Sequence, residues 1–284
     1  MTLARHGTGA LADLRALASQ VHPVFMLPAL GTALFGAVLA ETLRPLAASL
    51  HLAAVFFALY TAHVTDGYVD FYRRGEDDEH PLTRRGCRLA RVGASLGFAA
   101  ALVGLVVTVD PWVALVTLPG WIIALLHAPQ LDTNPIGATL GYPLGIALAL
   151  LGGYYVQAEA LPATPLGLAA VFLAVLAGIK VIDDAQDYSY DRSIGKRTVA
   201  VVVGPASARR VAYGLMALGM AAVPLLAVAL PGVPPSAAGS VLAFGTVAAV
   251  ASRAEPELAT MLLVRGSYVF LAVLVAAVWF RPLA

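Results

Sequence analysis

Long apolar stretches alternate with short polar segments along the whole chain. A helix that crosses a membrane needs about 20 mostly apolar residues, because the hydrocarbon core of a bilayer is about 30 Å thick. The alternation predicts nine membrane-spanning helices, at residues 21–41, 48–70, 88–109, 111–128, 135–157, 165–183, 206–230, 236–252 and 258–280.

Composition agrees with this interpretation. Of the 284 residues, 60% are hydrophobic and only 12% are charged, about half the charged fraction of a soluble domain. No long linker interrupts the pattern, so we expect an all-α polytopic membrane protein. Its nine transmembrane helices should form one bundle around a central cavity, as a single domain over residues 1–284. The net charge of +1 gives no indication of a nucleic-acid partner, and membrane lipids are the expected surroundings.

The distribution of basic residues predicts the orientation in the membrane. The loops after the first, third, fifth and seventh spans contain only Arg44. Positively charged loops usually face the cytoplasm, so we expect a multi-pass protein of the cell membrane with a cytoplasmic N-terminus. The basic residues of the loops after the second and sixth spans are Arg73, Arg74, Arg84, Arg85, Arg88, Arg91, Arg192, Lys196, Arg197, Arg209 and Arg210.

Two aspartate clusters lie at the predicted cytoplasmic ends of the second and sixth spans. The first contains Asp66 and Asp70, and the second contains Asp183, Asp187 and Asp191. A spacing of four residues places side chains on one face of a helix. Unpaired carboxylates beside a membrane are costly, so both clusters predict a site for Mg²⁺ and a polyphosphate. The alternative is a solvated helix end with incidental charges.

Histidine and cysteine add little to the predicted metal site. His63 shares a face with Asp66, but we interpret it as a packing or hydrogen-bonding residue rather than a ligand. The single cysteine, Cys87, excludes an internal disulfide and a cysteine-based metal site.

Arg265 lies inside the ninth span, where a charge facing lipid would be costly. We expect it to face the bundle interior or to pair with a carboxylate.

Four basic residues near the clusters are candidates for binding phosphate oxygens. Lys180 precedes the second cluster by one helical turn, and Arg84, Lys196 and Arg197 lie in the loops that follow the clusters. Arginine and lysine are the usual partners of phosphate groups. The alternatives are that Lys180 extends its amine to the membrane surface and that the loop residues only determine topology.

The second cluster and the topology resemble the UbiA superfamily of intramembrane prenyltransferases. Members have nine transmembrane helices and two aspartate-rich motifs, at the cytoplasmic ends of the second and sixth. Their second motif is Asp-x-x-x-Asp-x-x-x-Asp, followed by Gly-x-x-Thr and a hydrophobic run that ends in Gly. The matching positions in this chain are Asp183, Asp187, Asp191, Gly195, Thr198 and Gly204.

The first motif departs from the family pattern, which is Asn-Asp-x-x-Asp-x-x-x-Asp followed by Arg-Pro-Leu. Asp66 stands in the place of the leading Asn, Asp70 in that of the middle Asp, and Arg74 in that of the final Asp. The segment His80–Leu82 replaces Arg-Pro-Leu. The resemblance therefore implies a metal site with fewer carboxylates on this side, unless Asp77 or Asp78 substitutes from the loop.

The resemblance implies a Mg²⁺-dependent prenyltransferase acting on an isoprenyl diphosphate and an aromatic or lipid acceptor. All five aspartates of the two clusters would hold Mg²⁺, and Tyr68 and Tyr142 are candidates for orienting the acceptor. The first alternative is a terpene cyclase of the same superfamily, which would need no acceptor. The second is an ion or solute transporter, although transporter sites usually lie near the bilayer midplane.

Overall fold

The computed structural model describes residues 2–282, which form twelve α-helices. π-Helical turns at Asp70–Arg74 and His127–Leu131 extend α3 and α5, and a 3₁₀ turn at Pro235–Ala237 precedes α11. The helices are α1 Ala10–Ala18, α2 Pro23–Leu39, α3 Pro45–Val69, α4 Arg84–Thr108, α5 Val113–Leu126, α6 Pro135–Ala158, α7 Ala163–Gln186, α8 Tyr188–Ser193, α9 Val199–Val203, α10 Pro205–Ala229, α11 Ala238–Ala251 and α12 Pro256–Phe280.

Helix starts follow recognisable local signals. A proline occupies the first turn of α2, α3, α6, α10 and α12, where its missing N–H costs nothing and its φ suits a helix. The side chains of Thr83 and Asn134 cap α4 and α6 by accepting the backbone N–H of Gly86 at 2.9 Å and of Gly137 at 2.7 Å. These caps satisfy N–H groups that would otherwise lack partners.

Each of the nine predicted spans coincides with a helix, and the multi-pass interpretation is confirmed. The predicted number of nine crossings is supported only in part. Within residues 2–282, seven helices are long and apolar enough to cross a membrane, and α1 with α2, bent by 64°, would make an eighth. Only a shorter apolar helix, Pro235–Ala251, occupies the eighth predicted span. The seven are Pro45–Arg74, Arg84–Thr108, Val113–Leu131, Pro135–Ala158, Ala163–Gln186, Pro205–Ala229 and Pro256–Phe280.

Helix α7 is the centre of the bundle. In its most apolar stretch 67% of residues are buried, against 50% or less in the other spans. Its Phe172 ring packs edge-on against Phe35 of α2 and Phe270 of α12, with ring centroids 6.3 and 5.6 Å apart. Helices α2 and α6 pack closely enough that a Cβ at Gly36 or Gly153 would collide with backbone carbonyl groups. Small residues allow this approach between membrane helices.

One end of the bundle carries both aspartate clusters. Residues 2–9, here called the N-terminal strap, cross this end beside the loop between α3 and α4. The backbone N–H of Arg5 donates to Pro81 O and that of Thr83 donates to Leu3 O, each at 2.8 Å. The Asp13 carboxylate fixes the strap by accepting the N–H of Leu3 at 2.7 Å. The strap therefore holds the loop that follows the first cluster.

Candidate active site

A cavity of about 720 Å³ opens between α2, α3, α5, α6, α7 and α12. It follows α3 from Asp70 to His51, a distance of about 28 Å at 1.5 Å per residue. Carboxylates from two helices, Asp66 and Asp70 of α3 and Asp183 of α7, line it together with Lys180. Most of the remaining wall is apolar, as expected for a cavity that binds a small apolar molecule with a polar head.

The first cluster lies where α3 changes its helical geometry. After Val69 the chain continues as a π-helical turn. This turn ends at Gly75, whose φ of 65° is left-handed. π-Helical turns are uncommon and often occur at functional sites. Here the turn brings the Arg74 guanidinium back to Asp70, with Nη1 3.3 Å from Oδ1. Its Nη2 lies 2.6 Å from Asp132 Oδ2, in the segment between α5 and α6.

Arg74 therefore supplies a positive charge where the family motif has its third aspartate. The side chains of Arg74, Asp70 and Asp132 are 15%, 19% and 20% exposed, so the three form a largely buried ion-pair network. The Asp66 carboxylate, one turn earlier, forms no ion pair or hydrogen bond within residues 2–282. Its carboxylate remains available on the cavity wall.

The three aspartates of the second cluster do not lie along one face of a continuous helix, as their spacing predicts. Helix α7 ends at Gln186, Asp187 has φ −91° and ψ 15°, and α8 begins at Tyr188. Aspartate is a weak helix former that is favoured at helix ends, and the break falls at Asp187. Asp183 lines the cavity, whereas Asp187 is exposed and Asp191 is buried outside the lining.

Lysines neutralise most of the carboxylates around the second cluster. Lys180 Nζ lies 2.8 Å from Asp183 Oδ2 and 2.6 Å from Asp184 Oδ1. Lys196 Nζ lies 3.6 Å from Asp191 Oδ1 and 3.8 Å from Glu76 Oε1. Burial raises the pKa of the Asp191 carboxyl, and the charge of Lys196 opposes that shift. Lys196 thus connects the loops that follow the two clusters.

Four residues predicted to bind substrate lie outside the cavity lining: Lys196, Arg84, Arg197 and Tyr68. The Arg84 guanidinium stacks on the Tyr72 ring, 4.7 Å from its centroid. Arg197 is exposed, and Tyr68 packs under Arg73. Arg84 begins α4, Arg197 precedes α9, and Tyr68 lies in the last turn of α3.

Tyr142 does line the cavity, and its O–H donates to Phe25 O at 3.4 Å. The prediction that Arg265 faces the bundle interior or pairs with a carboxylate is wrong. Arg265 is exposed and forms no ion pair within residues 2–282, while Gly266 and Ser267 take the buried face of α12. A long basic side chain can keep its charge outside the protein while its stem lies along apolar surface.

Sequence reasoning missed several polar residues of the cavity wall. His22 and His127 line it from the start of α2 and the end of α5, and Tyr268 does so from α12. His63, which we interpreted as a packing residue, also faces the cavity. The available signal was the rarity of histidine within or beside apolar spans, where ionisable residues usually have a function.

The carboxylates of the cavity suit a hard divalent cation only in combination with a bound ligand. In the part of the chain that the structure describes, no group of three or more His, Cys, Asp or Glu side chains could hold a metal ion. Mg²⁺ typically binds through one or two carboxylates and completes its octahedral shell with water and substrate phosphates. Asp66, Asp70 and Asp183 therefore fit Mg²⁺ bound with a diphosphate, whose oxygens would supply the remaining ligands.

Solved structures share this fold. An apo UbiA homolog from Aeropyrum pernix K1 is 18% identical with a TM-score of 0.72, over 93% of this chain and 100% of that one. A UbiA homolog from Archaeoglobus fulgidus bound to GPP and Mg²⁺ is 17% identical with a TM-score of 0.60, over 94% and 99%. A structure described as digeranylgeranylglyceryl phosphate synthase in membranes is 15% identical with a TM-score of 0.73, over 94% and 99%.

Sequence comparison agrees with the structural one. No curated protein matches the chain. The model of the UbiA prenyltransferase family matches residues 29–260, which include both aspartate clusters and all helices from α3 to α11. This match covers most of the chain, and the chain therefore belongs to the UbiA prenyltransferase family.

Proposed function

We propose that this protein is a Mg²⁺-dependent prenyltransferase that moves an isoprenyl group from an isoprenyl diphosphate to an aromatic or lipid acceptor. One observation carries the proposal: carboxylates from α3 and α7 and the amine of Lys180 meet at one end of a long apolar cavity. A diphosphate requires such a polar end, and its isoprenyl tail requires the apolar remainder. The Archaeoglobus fulgidus homolog bound to GPP and Mg²⁺ adds support through the shared family.

Asp66, Asp70 and Asp183 would hold Mg²⁺ together with the diphosphate. Asp187 and Asp191 lie beside the polar end of the cavity and are the outer members of the five aspartates proposed to hold Mg²⁺. Bound Mg²⁺ supplies positive charge that favours departure of the diphosphate. The Lys180 amine, already held against Asp183 and Asp184, stabilises the same negative charge from α7.

The apolar wall serves the carbon skeleton of the donor. Cleavage of the bond between the first carbon and its oxygen leaves positive charge on the allylic carbon, and water would capture it. The apolar wall and the bound donor would exclude water from this carbon and keep it for the acceptor. Tyr142, whose O–H is anchored to Phe25, orients the acceptor. Arg84, Lys196 and Arg197 would act from the rim, by attracting the diphosphate toward the cavity. Tyr68, the other candidate for orienting the acceptor, lies outside the cavity lining and would act only at its edge.

The proposed location is the cell membrane, with the aspartate end in the cytoplasm. Contact between Lys196 and Glu76 places the loops after both clusters at one end of the bundle. At the opposite end, Arg44 pairs with Glu159 at 2.6 Å and Arg281 with Glu41 at 3.3 Å. Because most basic loop residues lie at the aspartate end, the positive-inside rule assigns that end to the cytoplasm.

Release of diphosphate from geranyl diphosphate by the purified protein tests the proposal. We expect release that requires Mg²⁺, stops on addition of EDTA and falls about 10²–10³-fold in Asp183→Asn, because that variant loses a group that holds the charge of the leaving group. Asp78→Asn is the matched control, since Asp78 is exposed and outside the cavity lining.

The products separate the alternatives. A prenylated acceptor supports the transferase. Conversion of a longer isoprenyl diphosphate to a cyclic hydrocarbon without acceptor would identify a cyclase instead. Transport of a solute in proteoliposomes, with no diphosphate released from any donor, would contradict both enzyme activities.

A further inference from the structure

A groove on the surface of the bundle runs between α4 and α5, outside the candidate active site. Its volume is about 330 Å³, and it extends along α4 from Arg91 to Leu102, a distance of about 17 Å at 1.5 Å per residue. Leu96 on its edge is exposed, so the groove opens toward the membrane. Leu118 and Leu125 of α5 form the opposite side. The groove is therefore basic at one end and mainly apolar along the rest.

The basic end belongs to a row of arginines on α4. Arg84, Arg88 and Arg91 are spaced by four and three residues, which places them on one face of the helix. Arg84 is held on the Tyr72 ring. Arg88 and Arg91 are exposed and form no ion pair or hydrogen bond within residues 2–282. Because α4 contains no Asp or Glu, the helix supplies no counter-charge for these two.

The two arginines lie at the level where lipid headgroups are expected. From Val92 to Thr108, α4 has no charged side chain, so Arg91 is the last charged residue before the apolar part of the span. Arginines at such a boundary keep their guanidinium groups at the membrane surface. Basic pockets between helices at this level bind anionic headgroups, and guanidinium groups bind phosphate through paired hydrogen bonds.

The indole of Trp121 is an independent indication of a ligand in the groove. It lines the groove and stacks on the Phe98 ring of α4, with centroids 5.5 Å apart and an interplanar angle of 12°. Its N–H is buried and has no hydrogen-bond acceptor within residues 2–282, whereas a buried indole N–H usually has one. Phe98 follows Arg91 by about 10 Å along the helix. The unpaired N–H thus lies deeper in the membrane than the arginines, on the side of a lipid's ester groups and chains.

We infer that the groove between α4 and α5 binds one anionic phospholipid. Arg88 and Arg91 bind its phosphate, the Trp121 N–H donates to an ester carbonyl, and an acyl chain lies along the leucines of the groove. A zwitterionic lipid offers the same phosphate, but its own cation would lie beside two arginines without a counter-charge. The site goes beyond the proposed function and is independent of it, because these three residues lie outside the lining of the main cavity.

Fluorescence quenching by two phospholipids tests the inference. Trp112→Phe/Trp279→Phe leaves Trp121 as the only tryptophan of the full-length chain, and both replaced residues are exposed. Phosphatidylglycerol and phosphatidylcholine with the same brominated acyl chains are titrated separately into this protein in a neutral detergent. Bromine quenches a tryptophan only at close range, so saturable quenching measures the Kd of the groove. Phosphatidylglycerol should bind at least about tenfold more tightly, since each arginine near an anionic headgroup contributes about fivefold.

Variants in the same background locate the charge that the lipid meets. Arg88→Gln/Arg91→Gln should weaken phosphatidylglycerol binding about tenfold or more and leave the Kd of phosphatidylcholine unchanged. Arg88→Lys/Arg91→Lys should retain most of the preference, because it keeps both charges. Arg210→Gln is the matched control, since Arg210 is exposed and contacts Ser207 within its own helix. Diphosphate release from geranyl diphosphate should be the same in all variants, which shows that they fold.

Four results would overturn the inference. Equal Kd values for the two lipids would mean that the groove takes any acyl chain. An equal loss in Arg210→Gln would reduce the preference to the general charge of the surface. Competition by inorganic phosphate would identify a site for a soluble anion. Trp121 fluorescence that neither lipid quenches, in a protein that elutes as a dimer, would show that a second copy of the chain covers the groove.

Discussion

In the two aspartate clusters, the match to the family motif and the number of aspartates that line the cavity do not go together. The second matches the family motif at every carboxylate, yet only Asp183 of its three aspartates lines the cavity. The first has lost its third carboxylate, yet both Asp66 and Asp70 line it. The difference arises because α3 continues through its cluster as a π-helical turn, whereas α7 ends inside its cluster at Gln186. A complete aspartate motif in the sequence therefore does not determine how many of its carboxylates reach the cavity.

The cations of the two clusters differ as well. At the first cluster, Arg74 is fixed between Asp70 and Asp132 and belongs to the protein's own framework. At the second, Lys180 lines the cavity and Lys196 connects Asp191 to the loop after the first cluster. One cluster thus carries a structural cation, and the other carries a cation that can also face a bound anion.

The largest expected effect separates aspartates within the second cluster. Asp183→Asn should lower Mg²⁺-dependent diphosphate release about 10²–10³-fold, and Asp187→Asn only about tenfold, the lower range for a residue behind the direct ligands. Initial rates at saturating geranyl diphosphate measure both. Equal losses would show that the segment from Asp187 to Ser193 closes onto the diphosphate and that the cluster acts as one unit.

The next effect concerns Arg74. Arg74→Gln should lower the free energy of unfolding by about 3 kcal/mol, because it leaves Asp132 charged and largely buried without its partner. The same change should reduce the Mg²⁺ concentration for half-maximal diphosphate release about two- to fivefold, since Asp70 loses a competing cation. Thermal unfolding in detergent and a Mg²⁺ titration measure the two effects.

A double variant sharpens this prediction. Adding Asp132→Asn to Arg74→Gln should restore much of the stability while the changed Mg²⁺ requirement stays, because only Asp70 contributes to the second effect. Arg73→Gln is the control, since Arg73 is exposed and its guanidinium lies over the Tyr68 ring. An unchanged Mg²⁺ requirement in Arg74→Gln would exclude Asp70 from the metal site.

The smallest effect is expected at the link between the clusters. Lys196→Gln removes the long ion pairs of 3.6 and 3.8 Å to Asp191 and Glu76. Because Lys196 lies outside the cavity lining, the KM of geranyl diphosphate should rise only about twofold. Arg192→Gln serves as the comparison, because Arg192 is exposed and contacts Tyr188 within its own helix. A loss above tenfold would mean that Lys196 contacts the substrate directly.

The features that the sequence predicted well are those set by local pattern. Span positions followed from apolar length, and the shared end of the two clusters followed from the distribution of Arg and Lys. The end of α7 inside the second cluster could not be predicted from spacing, since a repeat of four residues is compatible with both a continuous helix and one that ends at Asp187. Arg74 forms an ion pair with Asp132, and the His63 ring stacks on the His22 ring. Both contacts depend on tertiary packing, which a four-residue pattern does not encode.

The N-terminal strap also has a consequence for the order of assembly. Residues 2–9 are synthesised before the loop that they contact, because the Leu3 carbonyl accepts a hydrogen bond from the Thr83 side chain 80 positions later. The edge of the cavity beside the first cluster therefore closes only after α2 and α3 have both been synthesised and inserted. A translation pause or an insertion defect before Thr83 would leave Phe71, in the π-helical turn, without the Arg5 guanidinium that lies 4.3 Å from its ring centroid in the folded protein.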